Sequence, residues 1–108
     1  MVNIIIAKDF SKTPFGRFPS DSATSSAERF RKEFLVPALR AENNEEVVVD
    51  FDGVALGVGS SFLEEAFGGL IRKEGLSKSF VKKRLIIKSK MPFYKEQIIK
   101  FIDMAQPE

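Results

Sequence analysis

The sequence predicts an α/β fold: a mixed or mainly parallel β-sheet of about four strands, with three or four helices packed mainly on one face. Three observations predict it. Short aliphatic runs alternate with longer amphipathic stretches, so that a helix follows each main strand. The run Val47-Val48-Val49, with its apolar continuation, suits a strand covered on both faces. Two S-x-x-E boxes, Ser25 with Glu28 and Ser61 with Glu64, mark where two helices begin.

In chain order, Val2–Ala7 reads as the first strand. Residues Thr13 to Pro19 hold two prolines and a glycine, which predicts a turn or a short irregular hairpin. Ala27, Phe30, Phe34, Leu35, Ala38 and Leu39 then recur at helical spacing. Glu28, Arg29, Arg31, Lys32 and Glu33 fill the opposite face. Pro37 is expected to kink that helix or to begin a new turn near its end, and Asn43-Asn44 marks the exit loop. The central strand leads through a glycine-bearing turn to a helix with the stripe Leu63, Ala66, Phe67, Leu70 and Ile71. Gly68-Gly69 inside that helix cost about 1 kcal/mol each relative to alanine, which implies close approach of the sheet beneath or of a partner. Arg84–Lys88 reads as a further strand, and Pro92 opens a last helix with the stripe Tyr94, Ile98, Phe101, Ile102 and Ala105. Right-handed crossovers place such helices on one side wherever strand order progresses in one direction.

The 108 residues are expected to form one domain, 1–108, with 44% hydrophobic and 30% charged residues, the balance of an ordinary globular protein. No apolar run approaches the ~20 residues that span a bilayer. The first residues lack the basic start and long apolar stretch of a signal peptide. There is no cysteine, hence no disulfide framework. The expected location is cytoplasmic, with no membrane contact.

The absence of histidine and cysteine excludes zinc-finger ligation and the Ser-His-Asp and Cys-His forms of catalysis. Gly53-x-x-x-Gly57-x-Gly59 lacks the lysine of a phosphate-binding P-loop. Asp50, Asp52, Glu64 and Glu65 are the carboxylates that acid–base or metal chemistry would need, yet a domain this small offers little cleft. The chain is therefore expected to be non-enzymatic, with no cofactor and no metal.

What remains is a helix mouth where Ser60 and Ser61 stand beside unpaired backbone N–H groups, suited to an anion or to phosphorylation. The simpler role for such a serine is a helix cap. Arg17 can anchor a carboxylate or phosphate through its planar fork, or can pair within the domain with Asp50 or Asp52. Of eleven phenylalanines, Phe30, Phe34, Phe67 and Phe101 fall on core stripes. Phe15, Phe18 and Phe62 do not, and are candidates for an exposed docking patch. Residues 72–100 carry a net charge of +8. This reads as a solvated face and edge protection, or as a phosphate-binding patch centred on Lys82, Lys83, Arg84, Lys88 and Lys90.

Four segments, Phe15-Gly16-Arg17, Glu28-Arg29-Phe30-Arg31, Val49–Val54 and Ser60–Leu70, together resemble the STAS-like domains of bacterial and phage proteins. These carry a similar FGR turn, an FR-containing first helix and a VDFDGV…SSFLEEAFGGL block. The resemblance implies a STAS-like fold and a distant kinship to the anti-sigma-factor antagonists. In those, a serine at a helix N-terminus is phosphorylated by a GHKL-type ATPase partner, and phosphorylation releases that partner. Carried over, the phosphorylated serine falls on Ser60 with Ser61 as its neighbour, while the preceding aspartate is replaced by Gly59. The expected function is thus a signalling domain that docks a GHKL-type ATPase or anti-sigma-like switch protein. Its surface would comprise Arg17, Gly59, Ser60, Ser61, Phe62 as apolar anchor, and Glu64 and Glu65, which make the mouth acidic. A nucleic-acid accessory role through the basic segment, or a small-ligand sensor, are the alternatives; nucleic acid is not the expected partner.

Overall fold

Aliphatic residues at alternate positions build the sheet in the computed structural model, which describes residues 2–41, 45–54 and 57–108. Strands β1 (Val2–Ile5), β2 (Val47–Asp50) and β3 (Leu85–Lys88) lie in the order β1-β2-β3, all parallel. Val2, Val47 and Leu85 share one register, and Ile4, Val49 and Ile87 another. Among the described residues the sheet thus has three parallel strands, rather than about four in a mixed arrangement. The expected hairpin accounts for the difference. Pro14 and Pro19 have no N–H to give to a ladder, and the segment is tied down by irregular bonds instead. Phe15 N–H donates to the Ser25 carbonyl at 3.0 Å, and the Ala27 N–H to the Gly16 carbonyl at 3.0 Å.

Because strand order follows chain order, each crossover of the usual hand returns on the same side. Helix α1 runs continuously through the segments Ala27–Phe30, Arg31–Leu35 and Val36–Arg40. It begins one residue later than expected: Ser26, not Ser25, accepts the Arg29 N–H. Ser25 is drawn off by the Ser11 hydroxyl at 2.9 Å, and Glu28 by Lys32 at 2.9 Å. Pro37 widens the helix rather than ending it. Its missing N–H removes a bond, and the Val36 N–H reaches five residues back to the Arg31 carbonyl. The exit-loop residues Asn43 and Asn44 lie outside the described residues.

Helix α2 comprises Ser60–Leu63, Glu64–Gly68 and Gly69–Arg72. Helix α3, Lys78–Arg84, was hidden in a charge-rich stretch and runs directly into β3, so that Arg84 ends a helix rather than opening a strand. Its last turn carries Lys82, Lys83 and Arg84, where cations meet the negative end of the helix dipole. Helix α4 is Phe93–Met104, with Pro92 as its cap.

Ile4, Val47 and Val49 on one face of the sheet share a core with Phe30, Leu63, Phe67, Ile98 and Ile102. Asn3 and Lys88, of the opposite parity, are exposed. Phe62 belongs to the core and not to an outer patch: it is 1% exposed and packs on Phe10 and Phe30. Burying that ring stabilises the fold by roughly 1.5–3 kcal/mol.

Candidate functional site

Two short segments meet over the start of α2. The first is the turn at residues 14–21. Gly16 takes φ +80°, a left-handed conformation that a side chain would strain, and an added Cβ there would collide with Asp21. The Asp21 carboxylate accepts the Arg17 N–H at 3.0 Å and the Phe18 N–H at 3.2 Å, fixing the turn. The second segment is 57–62. Gly59 caps the helix without a side-chain hydrogen bond, and Ser60 and Ser61 are exposed. The S-x-x-E box expected at Ser61 does not form, because Gly59 is the cap and Ser61 already lies inside the helix, and Glu64 is bound by arginines. Behind them, the Val58 N–H donates to the buried Tyr94 hydroxyl at 2.9 Å. The turn and the helix mouth enclose a surface cavity of ≈ 570 Å³, walled by Phe15, Gly16, Arg17, Gly59, Ser60 and Ser61. Phe62 forms its floor.

Phe15 is 65% exposed at the rim. Phe18 is also exposed, at 37%, with the Lys73 ammonium 5.7 Å from its ring centre, and Phe15 is the more open aromatic of this turn.

Beneath the mouth lies an ionic network. Arg17 Nη1 donates to Glu64 at 2.5 Å and lies 3.5 Å from Glu65. Arg72 holds the same Glu64 from the other side at 2.6 Å. Deeper in, Arg31 Nη1 donates to the Glu65 carboxylate at 2.7 Å and to the Glu65 carbonyl at 2.6 Å, and Arg31 Nε donates to Glu74 at 2.9 Å. Partial burial raises the Glu64 pKa, but the hydrogen bonds from Arg72 and Arg17 outweigh it and hold the carboxyl below its ordinary value. The Glu64 hydrogen bond in turn raises the pKa of Arg72.

Several expectations change accordingly. Glu64 and Glu65 do not give the mouth a free negative charge, since three arginines neutralise them. Arg17 pairs with those glutamates and not with Asp50 or Asp52. Asp50 instead accepts the Asp52 N–H and sits 3.5 Å from Lys88, and Asp52 accepts the Lys90 N–H. Arg31 is not on a polar face but fully buried, and Gly68-Gly69 are explained by side chains as well as backbone. A Cβ on Gly69 would meet the Arg31 guanidinium, and one on Gly68 would lie 2.8 Å from Glu64 Oε2 and 3.5 Å from the Phe101 carbonyl.

Arg31, Arg72 and Glu74 escaped the sequence reading. A signal for Arg31 was present: it stands four residues after Ala27, on the apolar stripe itself, where a charge demands a partner.

The basic segment is not one patch. Arg84 is 6% exposed and donates inward to the carbonyls of Leu39 and Glu45. Lys82 pairs with Asp103 at 2.8 Å, while Lys83, Lys88 and Lys90 are exposed. Among the described residues no helix is long and apolar enough to cross a membrane, and no three acidic side chains converge as a metal site would need.

A family model described as a STAS-like domain of unknown function (DUF4325) matches residues 26–91, more than half of the chain. The matched stretch runs from the α1 cap through α2 to just beyond β3, and leaves the Arg17 turn outside it. No curated protein and no solved structure matches the chain.

Proposed function

The chain belongs to the STAS-like domain family, and from that premise we propose that it is a non-enzymatic regulatory domain that docks a protein partner through the mouth of α2. The observation that carries this reading is the cavity at 14–21 and 57–62. An open aromatic, Phe15, and two exposed hydroxyls, Ser60 and Ser61, stand on one concave surface. The arginine–glutamate network fixes that surface from below, so little order has to be imposed on binding. The partner is a GHKL-type ATPase or an anti-sigma-like switch protein, following the kinship to the antagonists.

Docking at this mouth is constitutive, since Gly59 replaces the acidic residue that precedes the serine in the antagonists. Docking of this kind needs no modification; a second reading, carried by the exposure of Ser60 at the helix start, is that a phosphate added there would release the partner. A phosphate adds about −1.5 to −2 charges at pH 7. With Glu64 and Glu65 already neutralised, that charge is new to the surface. It is tolerated within the domain by the positive end of the helix dipole and disfavoured across an interface that buries it.

The test is affinity capture from the native host followed by binary binding with the captured ATPase, comparing wild type with Phe15→Ala and Ser60→Asp. Capture of a GHKL-fold ATPase that weakens about tenfold or more with Phe15→Ala supports docking at this surface. Release by Ser60→Asp adds the switch. A captured set that neither substitution changes removes the α2 mouth as the docking site.

A further inference from the structure

The outer edge of β3 offers a second surface, sharing no lining residue with the cavity at the α2 mouth. β3 pairs with β2 on one side, and among the described residues no strand pairs with its other edge. A groove of ≈ 230 Å³ runs between that edge and α4. Its walls are aliphatic: Leu85, Ile86 and Ile87 from the strand, Ile98, Ile99 and Ile102 from the helix. Ile99 and the three strand residues are only partly covered. Lys82 and Lys95 stand in the rim, Lys95 exposed and Lys82 paired with Asp103 at 2.8 Å.

Lysines alone would be the ordinary protection of an open edge. An aliphatic groove beside that edge is not protective, because it offers alternate side chains somewhere to go while the main chain adds to the ladder. The cationic rim also selects among occupants. A second copy of this chain would bring the same lysines against these, so edge-to-edge pairing is opposed. A nucleic acid would find the aliphatic walls unrewarding, and Arg84 is turned inward to backbone carbonyls.

The geometry points to an extended, acidic segment of a protein partner, alternating aliphatic and Asp/Glu residues, that adds to β3 as a fourth strand under α4. Aliphatic side chains enter the groove, and the carboxylates meet Lys95 and compete with Asp103 for Lys82.

The test titrates the isotopically labelled full chain with a short peptide alternating isoleucine and glutamate, followed by amide chemical shifts. Shifts concentrated at residues 85–88 and 98–102 are expected. Proline at the centre of the peptide, which removes a ladder N–H, is expected to weaken binding about tenfold. Ile99→Glu and Lys95→Glu are each expected to weaken it by a similar factor, and because both positions are exposed at least one keeps the fold. Shifts elsewhere, equal binding of a peptide with lysine in place of glutamate, or no binding at millimolar peptide would each overturn the assignment. So would the same shifts from single-stranded DNA, which would make the face a phosphate-binding one. The same shifts from concentrating the chain alone would assign the edge to a second copy.

Discussion

Arg31 on α1 and Glu65 on α2 meet at 2.7 Å with 1% and 2% of their surfaces exposed. The pair joins two helices inside an otherwise aliphatic and aromatic core, and the guanidinium completes its bonding on Glu74 and on the Glu65 carbonyl. Three of the four segments that mark the family in sequence are tied together in space by this pair and its ionic neighbours. The FGR turn supplies Arg17, the first helix Arg31, and the SSFLEEAFGGL block supplies both glutamates and the glycines that make room.

Removing one member of the buried pair leaves a charge without its main partner. Arg31→Leu and Glu65→Leu are each expected to cost about 3 kcal/mol or more, and the double variant less than the sum of the two. Urea unfolding of the three variants measures this. Single variants within 1 kcal/mol of wild type would mean that the pair is not what joins the helices.

Gly69→Ala has an expected sign opposite to the usual one. Inside a helix alanine is ordinarily better than glycine by ~1 kcal/mol. Here the new methyl runs into the Arg31 guanidinium, and overpacking of this kind costs about 1–3 kcal/mol. Destabilisation is expected in wild type and relief of it in an Arg31→Leu background. A more stable Gly69→Ala protein would show that Arg31 moves aside freely.

Glu64 carries a pH dependence. Its folded pKa lies below the ordinary 4.5, so its stabilising contribution is fully present above 4.5 and is lost as pH falls through the lower folded value. Wild type is expected to melt above Glu64→Gln at neutral pH, with the gap narrowing as pH falls below 4.5. A gap that stays constant through acid would show that the arginine bonds do not act on the charged form.

Phe15 and Phe62 separate docking from packing. Phe15→Ala is expected to change stability by no more than about 0.5 kcal/mol, while Phe62→Ala costs about 3–5 kcal/mol. Thermal melts of the two decide it. Comparable losses would place Phe15 in the core and remove it from the docking surface.

Much of the fold was legible because periodicity reports burial directly. Val47–Val49, the stripe through Phe30 and Leu39, and Pro92 before the last helix all stand where hydrophobic spacing and helix-start chemistry place them. The start of α1 slipped by one residue, since two adjacent serines are equivalent caps until Ser11 claims one of them. The α2 capping box failed for a related reason. The helix starts at Ser60 with Gly59 as its cap, two residues before the box requires, so Glu64 falls too far along to reach back and is bound by Arg17 and Arg72 instead.

By itself the sequence determined the alternation of strands and helices, the family, the glycine–serine mouth of α2 and the absence of histidine and cysteine chemistry. Each of these depends on residue type or on local spacing. Only the tertiary structure decided that Phe62 lies inside while Phe15 lies out, that Glu64 and Glu65 are neutralised by Arg17, Arg31 and Arg72, and that Arg84 turns inward. A side chain's partner and its exposure are properties of which elements pack together, and local pattern leaves a charge on an apolar stripe without naming the opposite charge, 34 residues away in the case of Arg31 and Glu65, that makes its burial possible.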